Sequence, residues 1–251
     1  MKKILIIPVL LLFLNSNAQS FQDALNTSGG NAPFNNLTGN LNGEYQTLTG
    51  NENEWSKIMG VFYQFDDIRF GKIGLDGSVY LFDNWENKGV IVVGNKRYAV
   101  PNINFHINQD LFLTKMENDS TFVYDFKGID KIIVNSRAFK SIYNTAEGKN
   151  KIYEIVYGSK DLILLKRYSV KLIQASPNPM VNRTKSKIKR SSNYYLMKDG
   201  GVIPFKLKKS NILNLINSEQ TQRLEQYVKD YKLSYKKEKD VNKILDYISK
   251  S

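Results

Sequence analysis

The sequence predicts a mainly β protein of the α+β kind, an antiparallel meander forming a barrel or a sandwich with C-terminal helices packed on it. Three observations predict this. From residue 60 to about 207 the chain is a succession of short β-branched or aromatic runs punctuated by Gly, Asn and Asp, as expected of strands joined by tight turns. The 15 Tyr and 13 Phe favour a pleated surface on which rings pack. Beyond residue 207 the apolar period changes from two toward three or four, the mark of helices.

Residues 1–18 are expected to be a signal peptide. Lys2 and Lys3 precede an apolar run from Ile4 to Leu14, and Ser16 and Ala18 supply small residues before a cleavage site. That run falls short of the roughly 20 residues that cross a bilayer, and the longest later one is broken by Lys166, Arg167 and Lys171. The expected product is therefore exported, periplasmic or secreted, with no transmembrane span. The chain has no cysteine, which rules out disulfides, thiolate metal sites and a lipidated cysteine.

Residues 19–59, rich in Asn, Gly, Thr and Ser, form a polar lead-in segment. Residues 60–207 form the β-domain. Its first strands are expected at 61–65, 78–82, 90–93, 96–100, 103–107, 111–116 and 121–126, with Gly94-Asn95 as a two-residue hairpin turn. A second series is expected at 131–134, 138–143, 152–157, 162–172, 194–197 and 202–207. Residues 208–251 are the helical segment. Asn217 and Gln220 stand at capping spacing before Leu224 and Val228, and a final helix is expected to begin near Asp240, capped by its side chain, with Val241, Ile244, Leu245 and Ile248 on one face. These helices are read as a cover for the sheet, the alternative being a detachable partner-binding module. An outer-membrane barrel does not fit, because its strands need runs of about ten residues and most of these are shorter.

Charge is placed unevenly. Residues 1–150 carry 14 Lys and Arg against 15 Asp and Glu, whereas residues 151–251 carry 22 against nine. The densest stretch has Arg183, Lys185, Lys187 and Lys189 at every second position, followed by Arg190. In an extended chain this spacing lines four cations on one side, a candidate binding row for an anionic glycan, lipopolysaccharide or an envelope protein. A solvated loop after Pro177-Asn178-Pro179 is the plainer reading. Nucleic acid is not expected as a partner, since no aromatic residue interleaves the row.

No catalytic set converges. His106 is the only histidine and, between Phe105 and Ile107, is expected on the polar face of a strand in a structural or solvated role. A carboxylate-dependent hydrolase acting on envelope or extracellular glycans is the alternative function. It would draw on Asp66, Asp67, Asp83 or Glu86, with Trp85 as a sugar platform. Phosphate loops and calcium loops are missing from the sequence, so no cofactor is expected.

Several segments together resemble a family of secreted β-rich proteins of unknown function from Bacteroidota. They are Asn17-Ala18-Gln19, Val79-Tyr80-Leu81-Phe82-Asp83-Asn84-Trp85, Gly94-Asn95-Lys96-Arg97-Tyr98, Asn102-Ile103-Asn104-Phe105, Asp119-Ser120-Thr121-Phe122, Leu207-Lys208-Lys209, Tyr227-Val228-Lys229 and the stretch from Asp240 to Tyr247. The resemblance spans roughly residues 60–250 and implies a fold more than a function. It also makes Asp119-Ser120-Thr121 look like an O-glycosylation acceptor, beside its plainer role as the turn leading into a strand.

Overall fold

A computed structural model describes residues 46–47, 55, 58–64, 76–116, 120–160, 162–176, 185–198 and 200–250. Thirteen strands among them make two sheets. They are β1 (Gln46–Thr47), β2 (Gly60–Gln64), β3 (Gly89–Val93), β4 (Lys96–Val100), β5 (Ile103–His106), β6 (Leu111–Lys115) and β7 (Ser120–Tyr124), then β8 (Lys131–Val134), β9 (Arg137–Asn144), β10 (Lys149–Gly158), β11 (Ile163–Ile173), β12 (Lys187–Lys198) and β13 (Gly201–Phe205). Three helices follow, α1 (Lys209–Leu213), α2 (Ser218–Asp230) and α3 (Glu238–Lys250). The larger sheet runs β1-β4-β3-β8-β9-β10-β11-β12-β13 and the smaller β2-β7-β6-β5. All pairings are antiparallel except β1 with β4.

Of the two expected architectures the sandwich is the one adopted. The larger sheet curls until β13 lies beside β9, yet these strands do not pair, so it stays open. Its turns follow local chemistry. At the β3–β4 hairpin only Gly94 takes a positive φ, 57°, as a type II′ turn requires of its first central residue. The β8–β9 hairpin instead places both Asn135 (φ 48°) and Ser136 (φ 66°) in the left-handed region, the type I′ pattern without a glycine.

Residues paired across a ladder share a face. One row therefore crosses eight strands from β4 to β13: Tyr98, Ile91, Ile132, Phe139, Glu154, Lys166, Tyr194 and Phe205. Its first four members belong to a core closed by Phe105, Phe112 and Phe122 of the smaller sheet. Phe139 meets Phe112 edge to face at 5.1 Å. Its last two belong to a second core, closed by Ile212, Leu224, Val228, Val241, Ile244 and Leu245 of the helices. Two apolar covers thus sit on one face of one sheet, and the row turns charged between them. Truncating any of the buried phenylalanines to Ala would cost about 3–5 kcal/mol.

Three expectations change on contact with the structure. Residues 78–82 do not form a strand: only Tyr80 bridges, to His106. The amide and carbonyl of Phe82 bond the Asn104 side chain instead of a ladder, and 76–87 becomes a strap. That strap ties β12, through Asp76 with Ser186 and Ile188, to β5, through Leu81 and Val79 with Phe105 and Ile107. The last helix starts at Glu238, two residues before Asp240, whose carboxylate accepts the Ser234 N–H at 3.1 Å. The lead-in segment contributes β1 together with Trp55 and Ile58, which are buried in the first core. By contrast, Asn217 caps α2 as its spacing predicts, accepting the Gln220 N–H at 3.0 Å. The signal peptide, Arg183, Asp66, Asp67 and Asp119 lie outside the described residues.

Candidate functional site

The basic stretch forms the start of β12, a regular strand where a loop was the plainer reading. Its cation spacing survives: Lys187 and Lys189 project from one face of β12 and are exposed, and Lys185 is exposed just before it. The ladder adds a residue that the sequence row did not contain. Lys171 of β11 lies directly opposite Lys189, and Ile173 opposite Lys187. Like charges facing each other across a ladder are destabilising. Among the described residues no carboxylate partners Lys171, Lys185, Lys187 or Lys189. The signal for Lys171 was present in the alternation Arg167, Ser169, Lys171, but its pairing with Lys189 follows from register, which depends on where β12 begins.

Down the same face the polar character continues and then becomes neutralised. Ser169 and Ser191 are paired hydroxyl to hydroxyl at 2.9 Å. Arg167 binds Glu147, and Lys151 reaches Asp110 at 3.4 Å. The hydrogen bond from Arg167 holds the Glu147 carboxyl below its ordinary pKa. Burial pushes the Asp110 carboxyl up, against the pull of Lys151 and Arg167. The lysines at the far end of the β11–β12 hairpin thus form no ion pair among the described residues, and Asp76, which bridges Lys187, is the one carboxylate residue beside them there.

Arg190 leaves the row. It points to the opposite face, where its guanidinium donates to the carbonyls of Tyr80 and Leu81, both at 2.9 Å, and to Asp83 Oδ1 at 2.6 Å. It therefore clasps the strap to β12. Asp83, a candidate hydrolase carboxylate, is the exposed end of that clasp. Glu86 is exposed on the same strap, and Trp85 sets its ring edge to face on Tyr80 at 4.9 Å. His106 is fully buried, not on a polar face; its Nδ1 accepts the Gln109 N–H at 3.1 Å.

A second polar cluster, invisible in sequence, fills the charged middle of the cross-strand row. Arg137 makes a bidentate pair with Glu154, at 2.8 and 2.9 Å, and donates to the Tyr168 hydroxyl, which donates to Glu154. Beside it Glu238 of α3 accepts from Lys166 Nζ and from the Tyr194 hydroxyl, each at 2.7 Å. Burial, then the neighbouring carboxylate, pushes the phenols of Tyr168 and Tyr194 up. These groups satisfy one another, so the cluster serves as a lock between sheet and helices. Among the described residues no group of His, Asp and Glu has the arrangement to hold a metal ion, and no helix is long and apolar enough to cross a membrane.

Comparison of the chain with protein-family models, curated proteins and solved structures gives no match.

Proposed function

We propose that this chain is an exported, non-enzymatic binding protein of the envelope or extracellular space, akin to secreted β-rich proteins of Bacteroidota. In this reading the lysine face of its β11–β12 hairpin docks on an anionic surface such as lipopolysaccharide. The observation that carries the reading is the direct opposition of Lys171 and Lys189, with Lys187 alongside; Asp76 of the strap bridges the backbone at Lys187, and among the described residues no carboxylate forms an ion pair with any of the three. An isolated protein gains nothing from that repulsion, whereas a phosphate or carboxylate ligand turns it into attraction. Placement on a rigid two-stranded ladder fixes the spacing of the charges and lowers the ordering cost of binding.

The test is co-sedimentation of the full chain with phosphatidylcholine vesicles, with and without incorporated lipopolysaccharide. Binding is expected only to the anionic vesicles and should weaken between 50 and about 300 mM salt as screening shortens. At about 1 kcal/mol for each lysine near an anionic surface, replacing Lys171, Lys187 and Lys189 by Gln should weaken it about 100-fold. Equal binding by this triple variant would refute the assignment.

A further inference from the structure

We infer that the outer surface of the two long helices carries a second binding site, a tyrosine platform for a neutral carbohydrate. Tyr227 and Tyr231 lie four residues apart on α2 and at its C-cap, and Tyr247 comes from α3. Tyr227 stacks on Tyr247 with ring centroids 4.2 Å apart and planes 13° apart. Tyr231 continues the array at 4.7 Å. The first two rings help to join the helices. Tyr231 contributes little to that junction, because it is 67% exposed. The three rings line a shallow surface depression of about 470 Å³ whose other lining residues are polar, with Gln222, Arg223 and Asp230 among them.

The helix end that carries Tyr231 is held in place. Helix α2 ends in a Schellman motif: Lys232 takes the left-handed conformation at φ 51°, its N–H bonds Lys229 O at 3.2 Å, and the Leu233 N–H bonds Val228 O at 2.9 Å. Val228 and Leu233 meet in the second core. The backbone that presents Tyr231 is thereby fixed, and an aromatic side chain with two rotatable bonds loses little entropy on binding. The polar walls select the ligand class. Gln226 Nε2 donates to Asp230 Oδ1 at 2.7 Å, leaving one carboxylate and one guanidinium whose charges cancel. The lining therefore carries no net charge that would favour an anion or a cation over a neutral ligand. A sugar ring suits such a lining, since its C–H edge suits the negative face of a phenol ring and its hydroxyls both donate and accept.

The test titrates the full chain with cellohexaose and with maltohexaose by calorimetry, following the tyrosine ring resonances by NMR. At least one of the two should bind and shift the Tyr231 ring signals. Tyr231→Ala should weaken binding about tenfold or more, while Tyr231→Phe, which keeps the ring, should stay within about twofold of the parent. Circular dichroism of both variants should match the parent. The lysine-to-glutamine triple variant should bind the sugar normally, which separates this platform from the anionic face. Binding of neither oligosaccharide, binding unaffected by Tyr231→Ala, or preferential binding of a nucleotide such as adenosine monophosphate would overturn the proposal.

Discussion

Acidification from pH 7.5 to pH 4 should destabilise this protein largely through one side chain. His106 is 0% exposed, its Nδ1 accepts the Gln109 N–H at 3.1 Å, and the Tyr80 ring stands edge-on at 5.2 Å. Burial lowers its pKa from the ordinary 6.5 to about 4. Because the folded value lies below the unfolded one, the unfolded chain binds the proton first. The stabilisation is present in full above pH 6.5 and is lost as pH falls toward 4. At about 1.4 kcal/mol for each pH unit of difference, the loss reaches about 3 kcal/mol. Urea unfolding at pH 7.5, 5.5 and 4 measures the total, to which carboxylates also contribute. His106→Asn isolates the histidine, since the Asn Oδ1 can replace Nδ1 as acceptor without titrating. Over the same range this variant should lose about 3 kcal/mol less than the parent. A single histidine also makes the NMR titration unambiguous. Titration of the imidazole near 6.5 in the folded protein, or equal pH slopes for parent and variant, would refute the reasoning.

Two further predictions follow from packing and backbone geometry. The Glu154 side chain is 8% exposed and that of Arg137 30%, so Glu154→Gln should cost about 3 kcal/mol, the low end for orphaning a buried ionic partner. The double variant Arg137→Met with Glu154→Leu should cost clearly less than the sum of the single changes, as a denaturation double-mutant cycle would register. Lys232→Gly should stabilise by about 1 kcal/mol, because the left-handed conformation that closes α2 penalises a Cβ; a rise in thermal midpoint of a few degrees checks it.

How much of this was legible in the sequence depends on the range of the interaction involved. Local signals read well: the Gly94-Asn95 turn, the Asn217 cap and the apolar face of Val241, Ile244 and Leu245 all depend on neighbours within a few residues. Residues 78–82 misled because their β-branched and aromatic composition is strand-like, while the Asn104 side chain, 22 residues from Phe82, takes the backbone groups of Phe82. Trp55 sits in a polar stretch with no periodicity around it, so its burial against Phe122 at 4.8 Å could not be read locally. For the candidate site, alternation puts Lys185, Lys187 and Lys189 along one side, whereas Arg190, which follows them at odd spacing, turns to the strap. Lys171 needed the ladder, and the Tyr227, Tyr231 and Tyr247 array needed the helix crossing. Both are contacts made across long separations in sequence.

The row from Tyr98 to Phe205 explains why the helices behave as part of the fold and not as a detachable module. A sheet nine strands wide offers more apolar face than a four-stranded sheet can cover, so the helices must close the remainder. Between the two covers the chain places Glu154 and Lys166. Each is then neutralised from a different direction. Glu154 takes Arg137, whose guanidinium also lies 5.2 Å from the Phe82 ring of the strap, and Lys166 takes Glu238 at the start of α3. Further along, the Tyr157 hydroxyl donates to Leu245 O at 3.1 Å, and Asn242 Nδ2 donates to Val156 O at 3.0 Å. Undocking α3 would expose Val241, Ile244 and Leu245 and leave Lys166 without its carboxylate in a half-buried site. That combined cost, apolar and ionic, holds the surface bearing the tyrosine array in a fixed place on the sheet.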